Sequence, residues 1–595
     1  MTSTVYKDVN YTLSALIEDI DMGEIGLPDI QRPFVWANTK VRDLFDSMYR
    51  GYPVGFLLFW VNGAENGHRA IGAGSKQKVP RLLIVDGQQR LTSLYAVLRG
   101  KPVVDGNYQE RRIEIAFRPR DAVFEVADAA TRRDPEFIPE ISVLWSEGKS
   151  SWSLVNDFLA RLGSTHVLSE VDKETIGKNI DKLFDIQKYP FTALEIFPTV
   201  NEEQVAQVFV RVNSTGTTLN QADFILTLMS VFWDEGRAEL EHFCHAAHQP
   251  STGKPSPFNH FIKPDPDQLL RVDVGFGFRR ARLQHVYSIL RGKDLETGEF
   301  SEERRVEQFD VLKRAQTHVL DLQNWHEFLK ALVQAGCRSE QMVSSQTALL
   351  YSYAMYLIGK NDFHVDGYSL RNLIARWFFM TSLTGRYTAS PESAMEQDLA
   401  RLRTASSARD FGEVLESTIS SGFTGDYWSI NLPTELATSA GRGPSLFAYY
   451  AALSILNARV LFSKMRVPEL LDPALKAKKT AIERHHLFPR GYLRKVGITD
   501  LREVNQIANF ALVEWVDNIE ISDRAPSDYY PEYAARFKPD ELSEMVYWHA
   551  LPEGWTEMPY REFLAARREA IAKVICDAFR KLSESGALED REGSG

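Results

Sequence analysis

At 595 residues, with 44% hydrophobic and 25% charged residues, the chain has the composition of an ordinary globular protein, too long for one core; two to four domains are expected. Its 69 basic and 80 acidic residues leave a net charge of −11, which argues against a passive nucleic-acid coat, and three scattered cysteines (Cys244, Cys337, Cys576) make neither a disulfide framework nor a CxxC metal knuckle. No apolar run approaches the roughly 18–20 residues that span a bilayer, and Met1-Thr2-Ser3-Thr4 lacks the basic-then-apolar pattern of a secretory signal, so a cytoplasmic location is expected.

From residue 10 to about 230 strands and helices alternate. Asn38 or Thr39 is placed to cap a helix with Val41, Leu44, Phe45, Met48 and Tyr49 at helical spacing, ended by Gly51. Val54 to Val61 reads as a buried strand. Leu82 to Val85 is another, ending at Asp86-Gly87, and a helix follows at once with Leu91, Leu94, Tyr95 and Leu98 on one face and Gly100 near its end. Arg112 to Phe117 and Ala122 to Val126 look like a strand pair, and Phe191 to Phe197 adds a strand. A helix over Glu202 to Val212 turns Val205, Val208, Phe209 and Val212 inward.

The Asp86-Gly87-Gln88-Gln89-Arg90 turn joins a strand to a helix. Such a junction exposes unpaired N–H groups and the positive end of the helix dipole, which suits an anion. Gly87 allows close backbone approach, Arg90 offers two N–H groups to a phosphate, and Asp86 offers a carboxylate to magnesium. A tight turn in which Asp86 caps the helix fits the same spacing. Two further stretches are placed to complete such a site. One is Gln31-Arg32, a polar pair in the Pro-stiffened segment up to Trp36; the other is the loop entered at Arg211 and Asn213. Asn213 is equally compatible with a helix C-cap. Phe34 and Trp36 fit either a flipped-base pocket or the core.

Residues 231 to 455 are dominated by helical periodicity, with loops near Gln249–Pro257, Gly292–Glu303 and Ser420–Gly443. Within them His242, Cys244, His245 and His248 crowd together as metal ligands do, yet the flanking sequence is that of an exposed helix end. A basic run with Arg271, Arg279, Arg280, Arg282, Arg291 and Lys293 reads as a solvated face.

Residues 456 to 560 carry the strongest chemistry. His485-His486 is the one adjacent pair among thirteen histidines, and Asn509 and Asn518 follow 23 and then 9 residues later. A neutral imidazole binds a divalent ion, and a second imidazole takes a proton from water near pH 7. One amide completes a metal shell and another holds the base in orientation. Around the pair, Lys476, Lys478, Lys479, Arg484, Arg490, Arg494 and Lys495 face a single acidic residue, Glu483, giving a local charge of +6 suited to a polyanion. A closing helix from Tyr560 to Leu582 buries Leu564, Ile571, Ile575 and Leu582, and Gly586 to Gly595 is a polar tail.

The segments QRPFVW (31–36), GYPVG (51–55), IVDGQQRLTSL (84–94) and FVRVNSTGTTLNQAD (209–223) resemble the N-terminal domain of GmrSD-type, modification-dependent (type IV) restriction endonucleases. That domain has a ParB/sulfiredoxin-like nucleotide-binding fold. The HHLFP…N…N region resembles the C-terminal HNH nuclease domain of the same family, and phosphorothioate-sensing defence nucleases share both halves. The resemblance implies an α+β multidomain chain: a sensor domain over 1–230, a helical connector over 231–455, a ββα-metal HNH domain over 456–560, and a terminal helix and tail over 561–595. It implies a nucleotide site at Gln31, Arg32, Asp86, Gly87, Gln88, Gln89, Arg90, Arg211 and Asn213, holding GTP or ATP, with hydrolysis expected. It further implies His486 as general base, Asn509 as its orienting partner, and His485 and Asn518 as ligands of Mg²⁺ or Mn²⁺. Where many relatives carry an acid, His485 stands, and a neutral ligand favours Mn²⁺, Ni²⁺ or Zn²⁺; Glu483 is then a supplementary candidate.

The expected function is an NTP-regulated, metal-dependent endonuclease cutting or nicking modified foreign DNA in antiviral defence. Lys478, Lys479, Arg484, Arg490, Arg494 and Lys495 are the expected DNA contacts. A nucleotide-controlled DNA- or protein-binding switch with a non-catalytic HNH-like module is the alternative. No membrane partner is expected, and a homo-oligomer is compatible with either reading.

Overall fold

The computed structural model describes residues 4–26, 34, 36–61, 81–104, 110–145, 150–200, 208, 221–251, 253–294, 297, 299, 301–473 and 482–587. The chain divides into two compact units, Met1–Phe232 and Trp233–Gly595.

The first unit is built on a mixed five-stranded sheet. Its strands are β1 (Tyr6–Thr12), β2 (Ile25–Gly26), β3 (Leu57–Val61), β4 (Leu82–Asp86) and, after a hairpin of β5 (Ile115–Arg118) and β6 (Val123–Val126), β7 (Pro190–Ile196). The sheet order is β1-β7-β3-β4-β2. β3 runs parallel to β7 with Leu57 opposite Ala193, and antiparallel to β4 with a register shift between Leu58 and Phe59. Successive residues of β3 are apolar because both faces are covered. Leu57 and Phe59 join the main core, and Leu58 packs with Ile196 and Val200 on the opposite face.

Helices α1 (Leu13–Asp21), α2 (Asn38–Tyr49) and α3 (Gln88–Arg99) pack onto this frame. The apolar spacing of α2 is the one predicted, with Val41, Leu44, Phe45, Met48 and Tyr49 all buried. Its cap differs: Ala37 is the N-cap and makes no side-chain bond, while Asn38 Oδ1 accepts from Arg111 Nη1 at 2.5 Å. β3 starts at Leu57, not Val54, because the chain turns at Gly55, whose φ of 91° lies in the left-handed region. The helix expected over Glu202 to Val212 lies outside the described residues, apart from Val208.

The second unit is mainly helical. Helix α4 (Asp234–His248) opens it, and α5 (Pro266–Phe278) packs between α6 (Glu302–Val319) and α7 (Gln346–Asn361). Helix α8 (Gly367–Leu383) lies on α7. The stretch from Ser420 to Gly443, expected as loop, begins inside α9 (Ala408–Gly422) and continues as a π-helical turn over Tyr427–Asn431 and a short helix over Leu432–Glu435. Helix α10 (Pro444–Ile455) and the closing helix α11 (Tyr560–Ala587) pack side by side, and α11 also touches α8 through a bond from Asn372 Nδ2 to Leu582 O at 2.9 Å. The helical middle and the histidine-bearing region therefore share one unit.

Within that unit β8 (Ile482–His486) pairs antiparallel with β9 (Phe510–Glu514), His486 opposite Phe510 and His485 opposite Ala511. Helix α12 (Arg490–Lys495) and the single turn α13 (Leu501–Val504) lie between the strands, and α14 (Trp515–Ile521) follows β9 directly. A local core of Leu487, Phe488, Tyr529, Tyr533, Trp555 and Phe563 seats this two-strand-and-helix element.

Candidate functional site

The first cluster of expected site residues lies where β4 meets α3. Gly87 is the N-cap, with φ 92°, and a Cβ there would stand 2.4 Å from Leu57 Cδ2, so the turn closes only over a glycine. Among the described residues no side-chain oxygen caps α3 at its N-cap. Arg90 reaches under the Gly51–Gly55 loop: Nη1 donates to Phe56 O at 2.8 Å, and a Cβ on Gly55 would lie 3.1 Å from Nη2. Burial lowers the Arg90 pKa, while the Asp86 carboxylate opposes that shift. The Gln88 side-chain nitrogen is buried with no hydrogen-bond partner among the described residues. Gln89 follows it in the first turn of α3, its carbonyl accepting from Ser93 Oγ at 2.6 Å. Gln31, Arg32, Arg211 and Asn213 lie outside the described residues. Phe34 is 3% exposed and belongs to the core, and Trp36 packs against that core beneath the Lys40 ammonium.

The second cluster is formed by β8, β9 and α14. Because side chains alternate along a strand, the adjacent histidines face different surroundings. His485 is 2% exposed, edge-on to the Tyr529 ring, and its Nδ1 lies 2.7 Å from Asn518 Oδ1 on α14. Burial pushes its pKa down to about 4, against the opposing Asn518 hydrogen bond, so the ring is neutral near pH 7. Its Nε2 is buried with no hydrogen-bond partner among the described residues. An amide oxygen accepts, so in this contact Nδ1 carries the proton and the buried Nε2 the lone pair; for His485 and Asn518 to hold a divalent cation in common, the proton must move to Nε2, freeing the Nδ1 lone pair beside the Asn518 oxygen. In that tautomer the two atoms fit a divalent metal ion.

His486, half-buried, places Nε2 2.9 Å from Asn505 Oδ1, with the Phe510 ring 4.6 Å from its own centroid. Burial lowers its pKa, the Asn505 bond opposes this, and the charges of Arg490 and Arg484 lower it further.

Asn509, expected to orient His486, is spent on the main chain. It is wholly buried, accepting from Phe488 N at 2.9 Å and donating to Phe488 O at 3.1 Å and Val504 O at 3.0 Å. It fixes the turn after the histidine pair to the turn after α13. The residue that touches the His486 imidazole is Asn505, which has no sequence signal beyond its type. A second unanticipated residue is Arg567 of α11, 0% exposed, whose guanidinium donates to Ala508 O (2.6 Å), Phe510 O (2.8 Å) and His549 O (3.0 Å). It grips the backbone on both sides of Asn509.

The expected basic collar is reshaped. Arg484, Arg490, Arg494 and Lys495 are exposed, but Arg484 donates to Gly441 O at 3.0 Å and Lys495 pairs with Asp523 at 2.7 Å. Lys478 and Lys479 lie outside the described residues, as does the side chain of Glu483. A polar cavity of about 590 Å³ beside Gln506 adds Arg502, Arg561 and Arg568 to the positive groups, offset by Asp500 and Glu503. The other basic run is engaged internally: Arg271 pairs with Glu392, Arg279 with Asp362 and Arg280 with Glu396. On α4, His242 and His245 are exposed while Cys244 is fully buried, and among the described residues no three or more His, Cys, Asp or Glu side chains gather as a metal cluster.

Comparison with known proteins bears on the first unit. Residues 13–230 match the family model of the GmrSD restriction endonuclease N-terminal domain, a segment that includes strands β2, β3, β4 and β7 of the sheet and the β4–α3 turn. The match is to that domain alone and covers less than half of the chain. Over 565 residues the chain is 22% identical to an uncharacterized protein, MJ0686, of Methanocaldococcus jannaschii, covering 89% of this chain and 88% of that protein. The similarity extends well beyond the family-matched segment. Among the described residues no helix is long and apolar enough to cross a membrane.

Proposed function

We propose that the chain is a metal-dependent DNA endonuclease of the HNH kind, regulated by a nucleoside triphosphate bound at the β4–α3 turn and directed against modified foreign DNA. The observation that carries the nuclease reading is one arrangement: His485 against Asn518 and His486 against Asn505, side by side on a two-strand-and-helix element. In the reaction, His486 takes a proton from water as the water oxygen bonds to phosphorus and the bond from phosphorus to the 3′ oxygen breaks. His485 and Asn518 would hold a divalent ion, which would supply positive charge at the departing oxygen. Arg484 and Arg490 attract the phosphate backbone and keep His486 in its basic form, since neighbouring cations disfavour the imidazolium. In the first unit Arg90 and the open helix start offer N–H donors to a triphosphate.

The test is digestion of plain, hydroxymethylated, glucosylated and phosphorothioate DNA with Mg²⁺ or Mn²⁺, with and without GTP or ATP. His486→Ala should abolish cleavage while leaving nucleotide binding and melting temperature unchanged. Arg90→Ala should weaken triphosphate binding roughly tenfold or more, as expected for loss of a charge-assisted contact. A wild-type protein that leaves every substrate intact sinks the nuclease reading.

A further inference from the structure

The imidazole expected to act as base has two nitrogens, and a neutral ring carries a proton on only one. A base must present its lone pair to water, so what occupies the other nitrogen decides whether the ring works. In this chain Nε2 of His486 faces Asn505 Oδ1 at 2.9 Å. An amide oxygen only accepts, so Nε2 holds the proton and Nδ1 holds the lone pair. An amide turned the other way would offer N–H to Nε2 and force the proton onto Nδ1.

Asn505 is delivered to that place by a braced main chain. Its N–H donates to Leu501 O at 3.0 Å, closing the turn of α13. The preceding carbonyl, Val504 O, accepts from Asn509 Nδ2 at 3.0 Å and from Tyr560 Oη at 3.3 Å, and Glu503 O accepts from Tyr560 Oη at 2.9 Å. The Phe510 ring limits the swing of the imidazole from the other side. Asn509 and Tyr560 thus act on the histidine at one remove, through the backbone that carries Asn505.

We propose that Asn505 is the positioning residue that fixes His486 as the Nε2–H tautomer, turning Nδ1 toward the attacking water; the inference rests on the nuclease reading of His486. Loss of a polar partner that orients a working imidazole costs about 10- to 100-fold in activity. The experiment compares full-length wild type, Asn505→Ala and Asn505→Asp at pH 8. It measures kcat and KM on a DNA that the wild type cleaves, the melting temperature, and the side-chain ¹⁵N spectrum of histidine-labelled protein without added metal. His486→Gln assigns the resonance.

The wild type should show His486 protonated on Nε2. Asn505→Ala should lose that single-tautomer signature and 10- to 100-fold in kcat with KM and melting temperature unchanged, and Asn505→Asp, which still accepts, should restore both. A wild-type spectrum with the proton on Nδ1 overturns the proposal, as does wild-type kcat in Asn505→Ala. A kcat loss matched by a drop in melting temperature that Asn505→Asp does not repair overturns it too. The spectrum is read without cleavage, so an inactive wild type counts against the nuclease reading while the tautomer is still decided.

Discussion

Three asparagines surround the paired imidazoles, and their surroundings separate their roles. Asn509 makes three hydrogen bonds to backbone in a site with no exposure, so Asn509→Ala strands Phe488 N–H and Phe488 O away from water and leaves Val504 O with Tyr560 Oη alone. Unsatisfied buried groups cost about 1–3 kcal/mol each, and partial relaxation leaves an expected loss of roughly 3 kcal/mol. The measurement is thermal or urea denaturation, and an unchanged midpoint would remove the clamp described for Asn509. Asn518 stands on the accessible side of α14 and is only half-buried, so Asn518→Ala should leave the midpoint close to wild type. Titration calorimetry with Mn²⁺ should then show weaker binding, by about tenfold or more for a lost ligand-shell group. Equal Mn²⁺ affinity in Asn518→Ala and wild type would disconnect Asn518 from any metal.

At the scale of elements, β8, β9 and α14 are held from behind by α11. Arg567 reaches three carbonyls with no carboxylate among its bonded partners, and burial lowers its pKa. Arg567→Met keeps most of the stem's volume and removes every donor, so Ala508 O, Phe510 O and His549 O lose a charged partner. Hydrogen bonds to a charged group contribute about 1.5–3 kcal/mol, and the expected loss is of the order of 3 kcal/mol. Cleavage should fall with it because the strand carrying Phe510 loosens. Arg567→Met with wild-type stability and activity would leave the guanidinium without a structural task.

This residue also shows what spacing alone conveys. The stripe Leu564, Ile571, Ile575 and Leu582 was legible as the buried face of α11, and all four are buried. Arg567 lies on the same stripe, three residues after Leu564, and a charge there is itself the signal of a buried cation. Strands Leu82–Asp86 and Pro190–Ile196 and the α2 and α3 faces were legible too, because burial imposes their periods. β1 was not: Tyr6–Thr12 is a mostly exposed edge strand whose partner, β7, supplies the pairing that its polar sequence does not announce. Asn505 was illegible for a different reason. Its contact with His486 spans nineteen residues and depends on where α13 ends, which no local pattern encodes.

At the scale of the whole molecule, acid should act through buried neutral histidines before it acts through net charge. His549 is 0% exposed; its Nε2 lies 2.9 Å from Arg459 O, and its Nδ1 has no hydrogen-bond partner among the described residues. Burial pushes its pKa from 6.5 to about 4, with the nearby Arg567 charge adding to the depression. Above pH 6.5 the ring is neutral folded or unfolded and contributes no pH dependence. Between pH 6.5 and 4 the unfolded chain takes up a proton that the folded chain refuses, so stability falls as pH falls, by about 1.4 kcal/mol per unit for one such group. Below pH 4 the folded ring protonates as well and the loss levels off. His485 shifts in the same direction for the same reason, which doubles the slope over that window. His549→Gln retains a donor for Arg459 O and removes the titration, so its urea midpoint should decline less steeply from pH 6.5 to 4.5 than that of the wild type. Superimposable declines would show that His549 titrates alike in both states, and that the closely packed seat beneath Arg567 does not exclude its proton.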